Sequence, residues 1–249
     1  MLIHLQILNK TIMTNNKAIL IGHYGGDKTH SLAAWSSTFL ELDLEMPLEI
    51  EDRVDVIIDY IINNSKRVRN IEQLLLFLAE QGHTSPFRFS TLHFVTTTEI
   101  ATHIQFLKHS VALSAENAES ARYKELKEDK FYLPNDWLDY GNEGKYWYNV
   151  LKLQSETLNE IYHTCLNELV EAGMPKARAK ESARFFKMYN SQINSNKMMS
   201  FDGFVQIYKK RNLLSPSQRE IANVVEQMLD EIKSIPNNPF EYSLKAFNL

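Results

Sequence analysis

The sequence predicts a single α+β domain, a sheet flanked by helices with long helices towards the C-terminus. Three observations carry that expectation. Apolar residues recur at helical spacing in several separate segments, and two other segments read as strands. No internal repeat, low-complexity tract or flexible linker divides the 249 residues.

Taken in order, residues 1–17 and 236–249 are expected as peripheral tails around one domain. Ala18 to Gly22 reads as a short strand running into the turn His23-Tyr24-Gly25-Gly26-Asp27. A helix is expected from Thr29 or His30 to Phe39. Glu51–Asn63 sets Val54, Ile57, Ile58, Ile61 and Ile62 at helical spacing, and Ile71–Glu80 repeats the pattern with Leu74, Leu75 and Leu78. Phe87–Thr97 alternates with a period of two and is rich in β-branched and aromatic residues, so it reads as a strand with both faces partly covered. Thr98-Glu99 offers the start of a helix with the apolar face Ile100, Ile104, Leu107, ending near Lys108 or His109. A polar loop, Ser114–Tyr123, follows. Beyond the aromatic turn Phe131-Tyr132-Leu133-Pro134 come a long helix from about Asn142 to Glu171, a turn at Gly173-Met174-Pro175 and a helix over Lys176–Phe186. The polar run Tyr189–Asn196 precedes helices over Phe201–Lys210 and Pro216–Lys233.

Composition narrows the function. With 44% hydrophobic and 23% charged residues the chain is ordinary for a globular protein, and a net charge of −4 argues against general binding of a nucleic acid polymer. No apolar run approaches the roughly 20 residues that span a bilayer. Residues 1–15 carry His4, Asn9 and Lys10 rather than a signal-peptide pattern, so no membrane contact and a cytoplasmic location are expected. The single cysteine, Cys165, makes no internal disulfide and has no adjacent cation to activate it; it reads as a small core or helix-surface residue, and a cysteine nucleophile is not expected. The eight histidines show no zinc-ligand spacing.

The chemistry-bearing residues concentrate in Gln105–Tyr123, where cations, hydroxyls, carboxylates and an amide converge. Each has a plainer reading beside the functional one. Gly82-His83-Thr84-Ser85-Pro86 is a helix-to-strand turn, or brings Ser85 to a phosphate or cofactor. Lys108 and His109 complement a helix dipole, as Arg211 does at the end of Lys209-Lys210-Arg211. Arg122 beside Ser120 suits phosphate recognition, against a surface ion pair with Glu119 or Glu125. Arg184, in Glu181-Ser182-Ala183-Arg184-Phe185-Phe186, reads as a partly buried guanidinium that needs an anionic partner.

The order of these pieces changes the balance. Gly25-Gly26-Asp27-Lys28-Thr29-His30, Ala33-Ala34-Trp35-Ser36-Ser37 and Gly82-His83-Thr84-Ser85-Pro86-Phe87 are followed by Gln105-Phe106-Leu107-Lys108-His109 and Asn117-Ala118-Glu119-Ser120-Ala121-Arg122-Tyr123. Downstream stand Lys180-Glu181-Ser182-Ala183-Arg184, Tyr189-Asn190-Ser191-Gln192, Arg211-Asn212 and Gln218-Arg219-Glu220-Ile221. The series covers most of the chain and resembles the flavin-dependent thymidylate synthase family.

That resemblance implies a mixed sheet flanked by helices and a homotetramer that methylates dUMP at C5. Methylenetetrahydrofolate would supply the carbon, and NADPH would reduce the FAD that replaces a cysteine nucleophile. By position, Gln105, Lys108, Glu119, Ser120, Ala121, Arg122, Arg184 and Arg211 would meet dUMP, with Arg184 on its phosphate side and Arg211 stabilising charge on the uracil. Ser85, Lys108, His109, Ser110, Glu119, Ser200, Asp202 and Gln206 would fall on the FAD side. The chain departs from the family pattern there. Lys108-His109-Ser110 stands for Arg-His-Arg, Ser200 and Asp202 for Asn and Arg, and Lys187-Met188 for the Leu-Pro that follows the downstream arginine. An aspartate beside a pyrophosphate would repel it. Two further readings are a related pyrimidine-nucleotide one-carbon transferase, for example hydroxymethylating, and a non-catalytic nucleotide-binding paralogue.

Overall fold

The computed structural model describes residues 15–36, 46–50, 52–64, 70–109, 112–120, 125 and 129–249. Four strands, Lys17–Gly25 (β1), Ser90–Glu99 (β2), Leu113–Ala118 (β3) and Gln192–Met199 (β4), form a sheet in the order β1-β2-β4-β3. Cross-strand partners give the directions. Asn16 bonds Glu99 while Gly25 meets Ser90, Thr96 pairs with Ser195 while Thr97 pairs with Asn194, and Glu116 pairs with Lys197 while Glu119 meets Asn194. One number rises as the other falls in each case, so every pair is antiparallel. The α+β class holds, with a sheet narrower in kind than the mixed one the resemblance implies.

The helices are Asp27–Trp35 (α1), Arg53–Asn64 (α2), Ile71–Glu80 (α3), Ile100–Leu107 (α4), Gly141–Glu171 (α5), Lys176–Ala183 (α6), Phe201–Arg211 (α7), Arg219–Lys233 (α8) and Glu241–Ala246 (α9). Short 3₁₀ turns cover Ser85–Arg88, Asn135–Asp139 and Arg184–Phe186. Side chains start several of the helices as their sequences require. Asn70 accepts from the Gln73 N–H at 2.8 Å to begin α3, and Glu99 accepts from the Thr102 N–H at 3.2 Å to begin α4. None of the helices is long and apolar enough to cross a membrane, among the described residues.

The chain divides into two compact units. One comprises the described parts of Met1–Lys17, Thr96–Lys108 and Asn117–Ser195; the other Ala18–Val95, His109–Glu116 and Asn196–Leu249. In the first, Tyr162 and Leu166 of α5 pack on Ala179 and Ala183 of α6, with Cys165 partly buried against them, which is the packing role expected of that cysteine. In the second, Phe87, Phe201 and Phe240 enclose His30, and α8 buries Ile221, Val224, Val225, Met228 and Ile232 along one face. His30 links this core by hydrogen bonds, Nδ1 to Ser243 and Nε2 to Ser90, both at 2.8 Å. Burial pushes its pKa down to about 3, so the ring is neutral.

Several expectations need correction. Residues 236–249 are not peripheral: Phe240, Ser243 and Leu244 are buried, and Asp27 accepts from the Tyr242 and Ser243 N–H groups. The expected polar loop after α4 contains β3, and Tyr189–Asn196 leads into β4. The buried face of α4 is Thr102, His103 and Phe106, while Leu107 is exposed. Glu99 sets that rotation, because its carboxylate bonds Asn16 and both the N–H and hydroxyl of Thr102 inside the first unit. The strand expected from Phe87 starts at Ser90, since Pro86 closes a 3₁₀ turn over Phe87 and Arg88.

Candidate active site

In the second unit the site is built on α7. Ser200 caps its N-terminus by accepting from the Gly203 N–H at 3.1 Å, and Asp202 lies in the first turn, where the helix dipole favours a carboxylate. Asp202 is buried, and the charge it would present is already matched: Arg88 Nε donates to its Oδ2 at 2.8 Å and Gln206 Nε2 at 2.9 Å. Where the family pattern has an arginine at position 202, this chain pairs Asp202 with a guanidinium from position 88. Sequence reasoning missed Arg88; the signal was a buried-position acid in an otherwise apolar helix start, which demands a cation somewhere. Ser85 opens the same 3₁₀ turn and is exposed.

Gly203 lets residue 112 lie against α7. A Cβ there would come within 2.3 Å of the Ala112 carbonyl oxygen. At the far end of α7, Arg211 Nε donates to His109 Nε2 at 3.1 Å. The acceptor nitrogen carries no proton, so His109 is the neutral Nδ1–H tautomer. Burial, then the Arg211 and Lys210 charges, hold its pKa below the ordinary 6.5. Arg211 is therefore a half-buried cation held in a fixed direction by a neutral ring. On the sheet of the same unit, the buried Lys197 ammonium pairs with Glu116 at 2.5 Å, and burial lowers its pKa despite that partner.

In the first unit, α4 presents half-buried Gln105 and exposed Lys108 at its C-terminal end. Glu119 is pinned to β4: its N–H donates to the Asn194 carbonyl at 2.8 Å and its Oε2 accepts from the Asn194 N–H at 3.2 Å. Ser120 follows it, half-buried. Arg184 starts the 3₁₀ turn after α6 and is exposed, with no carboxylate bridging it among the described residues, which corrects the expected partly buried, paired guanidinium. The helix ending at Ala183 turns its apolar residues inward and leaves position 184 outside. Ser110, Ala121 and Arg122 lie outside the described residues.

A second group in this unit had no sequence signal beyond the missing Leu-Pro. Lys187 Nζ bonds Asp129 Oδ1 at 2.8 Å and Asn159 Oδ1 at 2.7 Å, and sits 4.3 Å from the Tyr162 ring centroid. His163 joins it, with Nε2 2.9 Å from Asp129 and Nδ1 3.5 Å from Glu125. Burial alone would raise the Asp129 pKa, but its bonds to His163 and Lys187 outweigh that and hold it low. Burial wins at Lys187, whose pKa is lowered.

The residues that the resemblance assigns to FAD suit an anionic dinucleotide better than the sequence alone implies. Asp202 is neutralised, the Arg88 side chain is 60% exposed beyond its one bond, and Ser85, Gln206 and neutral His109 add uncharged hydrogen-bonding groups.

A family model described as thymidylate synthase complementing protein matches residues 31–236. The flavin-dependent thymidylate synthase of Streptomyces avermitilis is 29% identical over 188 residues, 70% of this chain and 74% of that one. That of Pseudothermotoga lettingae is 30% identical over 137 residues, 52% of this chain and 58% of its own. In three dimensions the chain is similar to the UMP/dUMP methylase PolB from Streptomyces cacaoi bound with 5-Br dUMP, with a TM-score of 0.72, 20% identity and coverage of 95% of this chain and 96% of that one. With the matched region covering most of its length, this chain belongs to the thymidylate synthase complementing protein family, the enzyme family of the flavin-dependent thymidylate synthases.

Proposed function

We propose that the protein is a flavin-dependent thymidylate synthase, which methylates dUMP at C5 with methylenetetrahydrofolate as carbon donor, NADPH as reductant and FAD as cofactor. The observation that carries this reading is Arg211 fixed by neutral His109. A cation whose direction is set before substrate arrives stabilises negative charge as it develops on the uracil, without reorganising at the moment of reaction. Were His109 protonated, it would repel Arg211 and turn the guanidinium away. Keeping the ring neutral therefore sustains the electrostatic role of Arg211.

The other residues bind and orient. Arg184, exposed and unbridged among the described residues, takes the dUMP phosphate together with Ser120, Ala121 and Arg122. Gln105, Lys108 and Glu119 complete the nucleotide side, with Glu119 held by Asn194. Bound FAD would supply hydride from NADPH to the one-carbon unit. Ser85, Lys108, His109, Ser110, Ser200 and Gln206 would hold it, and Arg88 cancels the Asp202 charge that would otherwise repel its pyrophosphate. The Streptomyces cacaoi enzyme, bound with a C5-substituted dUMP, supports a uridine nucleotide as substrate. A homotetramer in the cytoplasm belongs to the same reading; exposed Tyr146, Trp147, Leu153 and Ile161 along α5 support burial of that helix between subunits.

The test is the product. Protein incubated with dUMP, methylenetetrahydrofolate, FAD and NADPH should yield a nucleotide with the mass of dTMP. The mass of 5-hydroxymethyl-dUMP would replace the methyl reading with hydroxymethyl transfer, and unchanged dUMP would sink both.

A further inference from the structure

Lys187 is an uncommon residue to bury, and nothing in the proposed chemistry uses it. Its side chain is 5% exposed and that of Asp129 4%. Such a pair is costly to desolvate, and once buried it holds its two ends together because separating them leaves an uncompensated charge. Here the geometry concerns Arg184. The three-residue turn Arg184–Phe186 is closed by the Lys187 N–H, which donates to the Arg184 carbonyl at 3.0 Å. Arg184 thus stands exposed at one end of a turn whose other end is clamped. The clamp has several jaws: Asp129 and Asn159 on the Lys187 ammonium, the Tyr162 ring beneath it, and His163 fastening Asp129 from α5. Asp129 itself holds a left-handed backbone at φ 36°, a conformation that a non-glycine residue keeps only when its surroundings dictate it. Without the clamp, a turn of three residues bearing the exposed side chains Arg184 and Phe185 has little of its own to hold it.

We propose that Lys187 is a positioning residue for phosphate recognition: anchored by Asp129, Asn159 and Tyr162, it fixes the turn from which Arg184 meets the phosphate of the nucleotide substrate. This rests on the reading of Arg184 as a dUMP phosphate ligand. Lys187 does not touch the nucleotide. It sets where the guanidinium starts, and a small displacement of a bidentate donor loses most of its worth.

The experiment compares binding of dUMP with that of deoxyuridine, which lacks the phosphate, by titration calorimetry on the wild type and K187M. In the wild type dUMP should bind far more tightly. K187M should weaken dUMP by about tenfold or more while leaving deoxyuridine within about threefold, because only the phosphate contact is displaced. Should the loss of the ammonium beside Asp129 prevent K187M from folding, K187M/D129N removes both charges of the pair and should show the same collapse of phosphate preference. A folded variant that keeps the wild-type ratio of the two affinities overturns the positioning role, even if its melting temperature falls. A wild type that does not distinguish dUMP from deoxyuridine instead removes the functional reading of Arg184 on which the proposal rests.

Discussion

Acid should loosen the second unit through His30, and the size of the effect follows from its burial. The ring is fully buried and titrates at about 3 in the folded protein, against 6.5 when unfolded. Below pH 6.5 the unfolded chain gains a proton that the folded one refuses, so stability is fully present above 6.5 and is lost as pH falls towards 3. Each pH unit of that window is worth about 1.4 kcal/mol, which makes the loss about 2 kcal/mol at pH 5. Asp27, two bonds away through Ser243, works in the opposite sense. Burial raises its pKa above 3.8, so the folded protein takes up that proton first and gains stability as pH falls through the raised value, which makes the net slope shallower at the acid end. Urea unfolding at fixed protein concentration, at pH 7.5, 6 and 5, reads the difference between the wild type and His30→Gln. The variant is less stable throughout, because Ser90 and Ser243 lose their ring partner, but it should lack the pH-dependent loss. Parallel curves for the two proteins would refute the assignment of a buried neutral histidine.

Other results are expected from substitutions at Arg88 and Arg211. Arg88→Ala leaves the Asp202 carboxylate buried with only Gln206 beside it, at a cost of about 1–3 kcal/mol in urea unfolding. It should also weaken flavin binding followed by fluorescence quenching. Arg88→Ala/Asp202→Asn should recover the stability but not the wild-type flavin affinity, and wild-type affinity in Arg88→Ala would show that the pair takes no part in holding the cofactor. Arg211→Ala should lower kcat by about 10²–10³-fold or more. In the same variant the His109 pKa, followed by NMR, should rise once the neighbouring charge is gone; an unmoved resonance would contradict the contact.

How far the sequence reaches depends on the range of the forces involved. Ile71–Glu80 is recovered to the residue because its periodicity and its Asn70 cap are local, and α5 differs from expectation by one residue at its start. The strands β3 and β4, Leu-Ser-Ala-Glu-Asn-Ala and Gln-Ile-Asn-Ser-Asn-Lys-Met-Met, carry little β-propensity of their own. They are strands because β4 pairs with β2 and β3 pairs with β4, as the buried Lys197–Glu116 contact illustrates, and no local window contains that information. The site divides the same way. Arg211, Arg184, Glu119 and the α4 end belong to an ordered series that was enough to point to the family. Arg88 was not legible, because its partner Asp202 lies 114 residues away, nor was Lys187, whose meaning depends on Asp129 at a separation of 58. Asp202 and Lys187 are charges that depart from the family pattern in one dimension and become paired in three.

The central claim is that this chain removes the C5 hydrogen of dUMP with flavin and folate chemistry, Arg211 stabilising the charge that forms on the ring. Tritium release from [5-³H]dUMP tests it most directly. Release should require methylenetetrahydrofolate, FAD and NADPH together and should fall by about 10²-fold or more in Arg211→Ala. Release that persists without FAD, or wild-type release in Arg211→Ala, would contradict the account.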